Sequence, residues 1–492
     1  MSGDGNRERK RVARPRLLVV GAGVAGQSLV REIQRDKLPA EPVAFLDDDE
    51  RLLGSEVCGL PVLGGSEDLV RVAREVRAQE VLLAIPSAGG RLIRRLVILS
   101  RRAGLPFRIV PGLRDIILGE VHFSQVRGVE PEHLLGRESV DFKDADARRV
   151  VAGRSVLVTG AGGSIGGELC RRLLPLGPRE LILLGRGENS LFEIAGELEP
   201  RRGQTVLTSV IADVRDRARL EVLAGRLRPD LILHAAAHKH VPLMEDNPEE
   251  AVAVNVGGTA NLIAFARSVG AERFVLISTD KAVLPASVMG ATKKLAELLV
   301  RDAAAANGGT RFMTVRFGNV LGSRGSVVPF FMHRIRQGLP LPITDPQMTR
   351  YFMTIKEAAL LVIEAMVLGE RGATYILEMG NPVSILELAR NLLVLSGYDP
   401  AGGDDGPGIQ ITGLRPGERL HEVLHEPHEE LIPSGNPLIR RAEPRDEDPG
   451  RVAAALDELL GLATAGDIDG LRARLAGLLD RPALATRQDG GF

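Results

Sequence analysis

Twice along this chain a short apolar run leads straight into closely spaced glycines, and that pairing constrains the fold more than any other feature. Leu17-Leu18-Val19-Val20 precedes Gly21-Ala22-Gly23-Val24-Ala25-Gly26, and Ser155-Val156-Leu157-Val158-Thr159 precedes Gly160-Ala161-Gly162-Gly163-Ser164-Ile165-Gly166. Glycines at this spacing let a strand turn tightly into a helix, let backbone N–H groups approach a pyrophosphate, and let the helix pack closely on its strand. At 492 residues the chain exceeds one ordinary hydrophobic core, so the two openings predict two separate units. The expected fold class is α/β, with two Rossmann-like, doubly wound parallel sheets and a small C-terminal lobe on the second.

Apolar runs at regular intervals continue both patterns. After the first opening, Val43-Ala44-Phe45-Leu46-Asp47 and the runs at 81–85 and 107–110 predict a nucleotide-binding-type domain over 16–112, followed by a charged connector over 113–150. After the second, runs at 181–184, 206–211, 231–234, 274–278 and 312–316 alternate with helical patterns and predict a dinucleotide-binding domain over 151–320. The spacing loosens over 321–440, where helical stretches at 355–368 and 384–395 predict a substrate-binding lobe at the carboxyl edge of the sheet, with a return to the sheet. Residues 401–408 read as a loop, and the Ala/Leu/Arg-rich segment 441–492 as a tail of one or two surface helices.

The composition narrows the function classes. A formal net charge of -1 gives no basic surface for nucleic acid. Two cysteines, Cys58 and Cys170, fall in different expected domains, so neither a disulfide framework nor a cysteine zinc site is expected, and a reducing cytoplasm fits. Residues 1–15 form a polar tail without the apolar core of a secretory signal, and the run at 358–368 is too short to span a bilayer. The basic cluster Arg7, Arg9, Lys10, Arg11, Arg14 and Arg16 reads as a solvated tail, with peripheral contact to an anionic membrane face as the alternative.

Gly160, Gly163 and Gly166 mark the cofactor loop, with Ser164 and Ile165 opening the helix. Asp213 and Val214 follow the third strand, where a carboxylate can meet an adenine amino group, and Ala235, Ala236 and Ala237 end the fourth with room for a nicotinamide ribose. Together they point to bound NAD or NADP. The acidic residue usual after the second strand is missing, and Arg186 could face a 2'-phosphate, so the choice of cofactor stays open. Gly21, Gly23 and Gly26 with Asp47 form a second fingerprint, either nucleotide-binding or structural.

The chemistry concentrates in Ser278-Thr279-Asp280-Lys281 and, after seven residues, Met289-Gly290-Ala291-Thr292-Lys293. Met289 stands where a Tyr-x-x-x-Lys pair would place its tyrosine, and none of Tyr351, Tyr375 and Tyr398 has a lysine four residues on. Asp280 and Lys281 supply an acid and a base for eliminating water across C5 and C6 of a hexose, once a cofactor has oxidised C4 and acidified the C5 proton. Lys281 must be neutral to act as that base, which requires surroundings that disfavour its ammonium form. Lys293 shares a helix face with Met289 and can hold the nicotinamide ribose hydroxyls. Met289 cannot exchange a proton, leaving Thr279 through water, or Asp280 itself, to take the C4 hydroxyl proton.

With these residues in hand, the chain resembles the polysaccharide-biosynthesis family of nucleoside-diphosphate-sugar 4,6-dehydratases, within the extended short-chain dehydrogenase/reductase group. The resemblance rests on the second glycine loop, on His234-Ala235-Ala236-Ala237-His238-Lys239-His240-Val241-Pro242, and on Ser278-Thr279-Asp280-Lys281-Ala282-Val283. It continues through Met289-Gly290-Ala291-Thr292-Lys293, Arg316-Phe317-Gly318-Asn319-Val320-Leu321-Gly322-Ser323, Met348-Thr349-Arg350-Tyr351-Phe352 and Leu414-Arg415-Pro416-Gly417-Glu418. It implies UDP-N-acetylglucosamine as substrate, a UDP-4-keto-6-deoxy-N-acetylhexosamine with retained C5 configuration as product, and a homo-oligomer. It also implies Asn255 among the cofactor residues and Lys239, Asn319, Val320, Arg350, Arg415 and Glu418 around the substrate, arginine forks matching phosphate oxygens. Long members usually carry transmembrane helices ahead of the first domain, and this sequence shows no such run.

Three rivals remain. His421-Glu422-Val423-Leu424-His425 spells H-E-x-x-H, but Pro427 would end the long helix a zinc protease needs. His234, His238 and His240 mimic a ligand cluster from a strand end and a loop, so no metal is expected. A nucleotide-sugar 4-epimerase shares the fold but ordinarily needs the missing tyrosine, and a non-catalytic nucleotide-sugar sensor would explain Met289.

Overall fold

The computed structural model describes residues 14–36, 38–85, 90–109, 144–306, 308–396, 398, 406–443 and 450–486. The tail cations Arg7, Arg9, Lys10 and Arg11 and most of the expected connector lie outside the described residues. The chain forms two compact units, one of Met1–Ser139, Ile335–Leu339 and Ala389–Gly408, the other of Val140–Arg334, Pro340–Leu388 and Ile409–Phe492.

In the first unit, β1 (Arg16–Val20), β2 (Glu41–Leu46), β3 (Glu80–Leu83) and β4 (Phe107–Ile109) form a parallel sheet in the order β2-β1-β3-β4. Between them run α1 (Val24–Arg35), α2 (Leu69–Glu75) and α3 (Gly90–Arg102). Leu17 and Val19 face one buried cluster and Leu18 and Val20 the other, the alternation of a strand covered on both faces. Gly21 takes φ +103°, and a Cβ there would lie 2.6 Å from the Ala84 carbonyl oxygen. Asp47 accepts from the Ala22 N–H at 2.7 Å and the Asp49 N–H at 2.9 Å. Packing and loop closure thus account for Gly21 and Asp47, whereas a Cβ on Gly23 would meet nothing within 4 Å.

The second unit is built on a nine-stranded sheet. Its parallel strands are β5 (Ser155–Thr159), β6 (Glu180–Gly185), β7 (Val206–Ile211), β8 (Leu231–His234), β9 (Arg273–Ile277), β10 (Arg311–Arg316) and, after the short β11 (Asn319–Leu321), β12 (Thr374–Leu377). Two antiparallel strands, β13 (Glu430–Pro433) and β14 (Ile439–Glu443), close one edge and give the order β13-β14-β12-β10-β9-β8-β5-β6-β7. The connections reverse direction between β5 and β8, which opens a crevice at the carboxyl ends of the strands. Helices α4 (Asp144–Val151), α5 (Ser164–Leu173) and α6 (Glu188–Leu198) contribute to one buried cluster. On the other face lie α7 (Arg217–Arg226), α8 (Gly258–Val269) and the 18-residue α9 (Val288–Ala305). Ser287 starts α9 by accepting from the Gly290 N–H at 3.0 Å. Thr354 and Glu357 form a capping box at the start of α10 (Ile355–Leu368).

The C-terminal segment forms two helices, each exposed on one side and buried on the other. In α11 (Arg451–Ala465) and α12 (Ile468–Leu479), Val452, Ala455, Leu459, Leu471, Leu475 and Leu478 are buried in the same cluster as Leu295 and Leu299 of α9. Their apolar residues recur with helical period, and the face so formed covers α9. Among the described residues no helix is long and apolar enough to cross a membrane.

Candidate active site

Strand ends converge at the crevice because the chain turns there three times with small residues. Gly160 takes φ +66°, and a Cβ on it would lie 2.8 Å from the Ala236 nitrogen; one on Gly166 would lie 2.2 Å from the Gly160 carbonyl oxygen. Gly163 caps α5 without a side-chain acceptor, and no acidic residue occupies the first turn. The first N–H groups of α5 therefore have no side-chain acceptor at the cap, and the positive end of the helix dipole favours an anion there. This cradle fits a dinucleotide pyrophosphate. Arg324, which the sequence reading passed over, donates its backbone N–H to Ser164 Oγ at 3.0 Å and its guanidinium to the Gly162 carbonyl at 3.3 Å.

Around the adenosine end, Asp213 accepts from the Arg215 side chain at 2.8 Å, and that guanidinium holds its carboxyl below the usual carboxylate range. Arg186 lies 3.6 Å from Glu250 and 4.0 Å from Asp213, and Arg215 reaches Glu250 at 2.7 Å. Arg186 thus stands within a four-membered ion network. Val214 is buried against Gly258, where a Cβ would come 2.6 Å from its methyl. Asn255 is buried and clamps the loop after β8, accepting from the His238 N–H at 2.9 Å and donating to the His238 carbonyl and to Thr292. Ile165, Ala235 and Ala236 are half-buried and Ala237 is exposed at the crevice.

The turn after β9 holds the expected acid and base. Asp280 has no solvent exposure, whereas Thr279 and Lys281 are half-buried. Asp280 Oδ1 accepts from the Thr279 hydroxyl at 2.9 Å and from Lys281 Nζ at 2.9 Å. Its Oδ2 is buried without a hydrogen-bond partner among the described residues. Lys281 Nζ also donates to Asn319 Oδ1 at 3.1 Å and lies 3.8 Å from Glu422. Asn319 therefore meets Lys281, while Val320 beside it is turned into the core.

Met289 is 2% exposed, so a thioether fills the position of the absent tyrosine. One turn on, Lys293 donates to the Ile277 carbonyl at 2.7 Å, and burial pushes its amine down to about 8 against the opposing pull of Glu297. Behind it, the fully buried Arg316 joins Glu297 and Glu429 at 2.6 and 2.8 Å. His234, also buried, is pushed down to about 3, held between Thr159 and Thr259.

The remaining expected substrate residues are spread out. Lys239 donates to the Arg324 carbonyl at 2.9 Å, beside the glycine loop. Arg350 is buried, donates to the Thr349 and Leu420 carbonyls, and lies 3.8 Å from Glu422. Arg415 is exposed, in a turn where Glu418 accepts its N–H at 3.3 Å. Residues 421–425 form no helix: His421 pairs with Thr349, and Glu422 points to Lys281 and Arg350. Among the described residues no group of His, Cys, Asp or Glu is arranged to hold a metal.

A parallel sheet with this glycine cradle and an acid–lysine turn defines the class, a short-chain dehydrogenase/reductase of the nucleotide-sugar dehydratase/epimerase type. The model of the polysaccharide biosynthesis protein family matches residues 156–443, and a CoA-binding domain model matches 5–111. "Probable polysaccharide biosynthesis protein EpsC" of Bacillus subtilis is 45% identical over 429 residues, covering 86% of this chain and 71% of that one. "UDP-N-acetylglucosamine 4,6-dehydratase (inverting)" of Campylobacter jejuni is 36% identical over 278 residues, covering 55% of this chain and 77% of that one. The X-ray structure of Pen from Bacillus thuringiensis superposes with a TM-score of 0.52 at 33% identity, over 56% of this chain and 83% of that one. The chain belongs to the polysaccharide biosynthesis protein family.

Proposed function

We propose that this chain dehydrates UDP-N-acetylglucosamine to the UDP-4-keto-6-deoxy sugar for polysaccharide or glycoconjugate synthesis, with recycled NAD as cofactor. The observation that carries the reading is the single carboxylate oxygen, Asp280 Oδ1, that collects both the Thr279 hydroxyl and the Lys281 amine. Likeness to the Campylobacter jejuni dehydratase supports the choice of substrate.

Gly160, Gly163 and Gly166 with the α5 N-terminus would hold the pyrophosphate, Ala235 to Ala237 would line the nicotinamide side, and Lys293 would hold its ribose. When bound, the cofactor accepts hydride from C4 and later returns it to C6. Thr279, partly exposed in front of the fully buried Asp280, takes the C4 hydroxyl proton and passes its own to Asp280. Lys281 removes the C5 proton, and Asp280, now protonated, gives its proton to the departing 6-hydroxyl. Lys281 finally returns a proton to C5, so the sum is loss of one water. NAD is favoured over NADP because Arg186 and Arg215 already face Asp213 and Glu250, leaving no net positive charge for a 2'-phosphate. Arg415 and Arg350 are proposed to face the UDP diphosphate and sugar.

Incubation with UDP-N-acetylglucosamine, followed by NMR, tests the reading. A C6 methyl doublet beside a 4-keto signal supports it. UDP-N-acetylgalactosamine would instead indicate a 4-epimerase, and unchanged substrate with tight binding a sensor.

A further inference from the structure

The glutamate of the H-E-x-x-H sequence has no zinc to serve, yet it is buried beside the catalytic turn. Its side chain is 5% exposed and its carboxylate lies 3.8 Å from Lys281 Nζ and 3.8 Å from Arg350 Nε. The segment that carries it is fastened to that turn on both sides. Arg419 donates to the Val283 and Leu284 carbonyls, and the Leu284 N–H reaches Glu426 at 3.4 Å. Further along, Arg316 donates to the Leu424 carbonyl, and Lys294 of α9 lies 3.2 Å from Glu426. The strap 419–426 thus keeps its place without help from Glu422, and the Glu422 carboxylate is free to act on charge.

We infer that Glu422 is a positioning residue for the elimination, a second carboxylate that stabilises the ammonium Lys281 becomes when it takes the C5 proton and that holds Arg350 at the sugar. This rests on the dehydratase reading. A fixed negative charge in a buried site lowers the barrier for a step in which positive charge develops beside it. Asp280 cannot do this alone, because it must be protonated when Lys281 starts as the neutral base. From that moment Glu422 is the one ionised carboxylate within 4 Å of Lys281 Nζ among the described residues. The charged and polar groups facing the amine are Asp280 from its own turn, Asn319 Oδ1 from β11 and Glu422 from the strap, with Arg350 and Arg419 facing Glu422 from behind.

The test is Glu422→Gln, nearly isosteric, beside Glu422→Asp and wild type. Glu422→Gln is expected to lower the plateau kcat by about tenfold or more while binding UDP-N-acetylglucosamine with unchanged cofactor content. Glu422→Asp, which keeps the carboxylate on a shorter arm, should restore part of the rate that Glu422→Gln loses. Full rate in Glu422→Gln, or a loss that Glu422→Asp does not recover in any part, overturns the inference, the second outcome marking a merely structural glutamate. If wild type itself yields no 4-keto-6-deoxy product, the dehydratase reading fails instead.

Discussion

Lys293 carries two consequences at the scale of single residues. Its folded-state amine, pushed down by burial to about 8, lies below the ordinary lysine value of 10.5, so between those limits the unfolded chain binds more protons than the folded one. Stability must then rise with pH through that window, by roughly 3 kcal/mol from this group alone. Lys293→Met is expected to flatten the rise, measured as urea midpoints from pH 7.5 to 10. The same substitution should weaken cofactor retention, whereas Asp280→Asn and Lys281→Met should keep cofactor and lose turnover by about 10² to 10⁴. Thr279→Val should share that loss, because valine keeps the shape and removes the hydroxyl that reaches Asp280. Cofactor content by absorbance and turnover by product assay separate the two groups.

At the scale of elements, α9 is held at its start and from behind. Ser287 caps it, and the Val288 N–H donates to Glu245, which in turn accepts from Arg472 of α12 at 2.9 Å. Ser287→Ala should cost about 1 kcal/mol. Arg316→Met should cost more, about 3–5 kcal/mol, because Glu297 and Glu429 would keep their buried charges without the guanidinium between them. Urea unfolding of the two variants gives the comparison, and equal costs would mean that Arg316 is not the anchor its burial implies. Removing residues 451–486 strips the cover from Leu295 and Leu299, and circular dichroism should show no cooperatively folded catalytic unit.

At the scale of the whole molecule, legibility followed sequence distance. The glycine loops, the strand series and the Thr279–Lys281 turn could be read because their signals are local: a period, a spacing, a run of neighbours. The contact of Lys281 with Asn319 and Glu422 could not, because 38 and 141 positions separate the partners and only the folded sheet edge brings them together. Arg324 was passed over for the same reason, sitting 160 positions from the Ser164 it touches. The C-terminal helices could be read as amphipathic surface helices, but not their seat against Leu295 and Leu299 of α9, because an apolar face does not name the partner it covers. Asp213 and Arg186 were legible as charges, but not as partners of each other and of Glu250.

The central claim is that a chain without Tyr-x-x-x-Lys performs an elimination through Thr279, Asp280 and Lys281. Proton NMR of wild type with UDP-N-acetylglucosamine tests it most directly. The expected result is a C6 methyl doublet that grows as substrate disappears and is absent with Lys281→Met. Conversion to UDP-N-acetylgalactosamine, or a methyl signal undiminished in Lys281→Met, would contradict it.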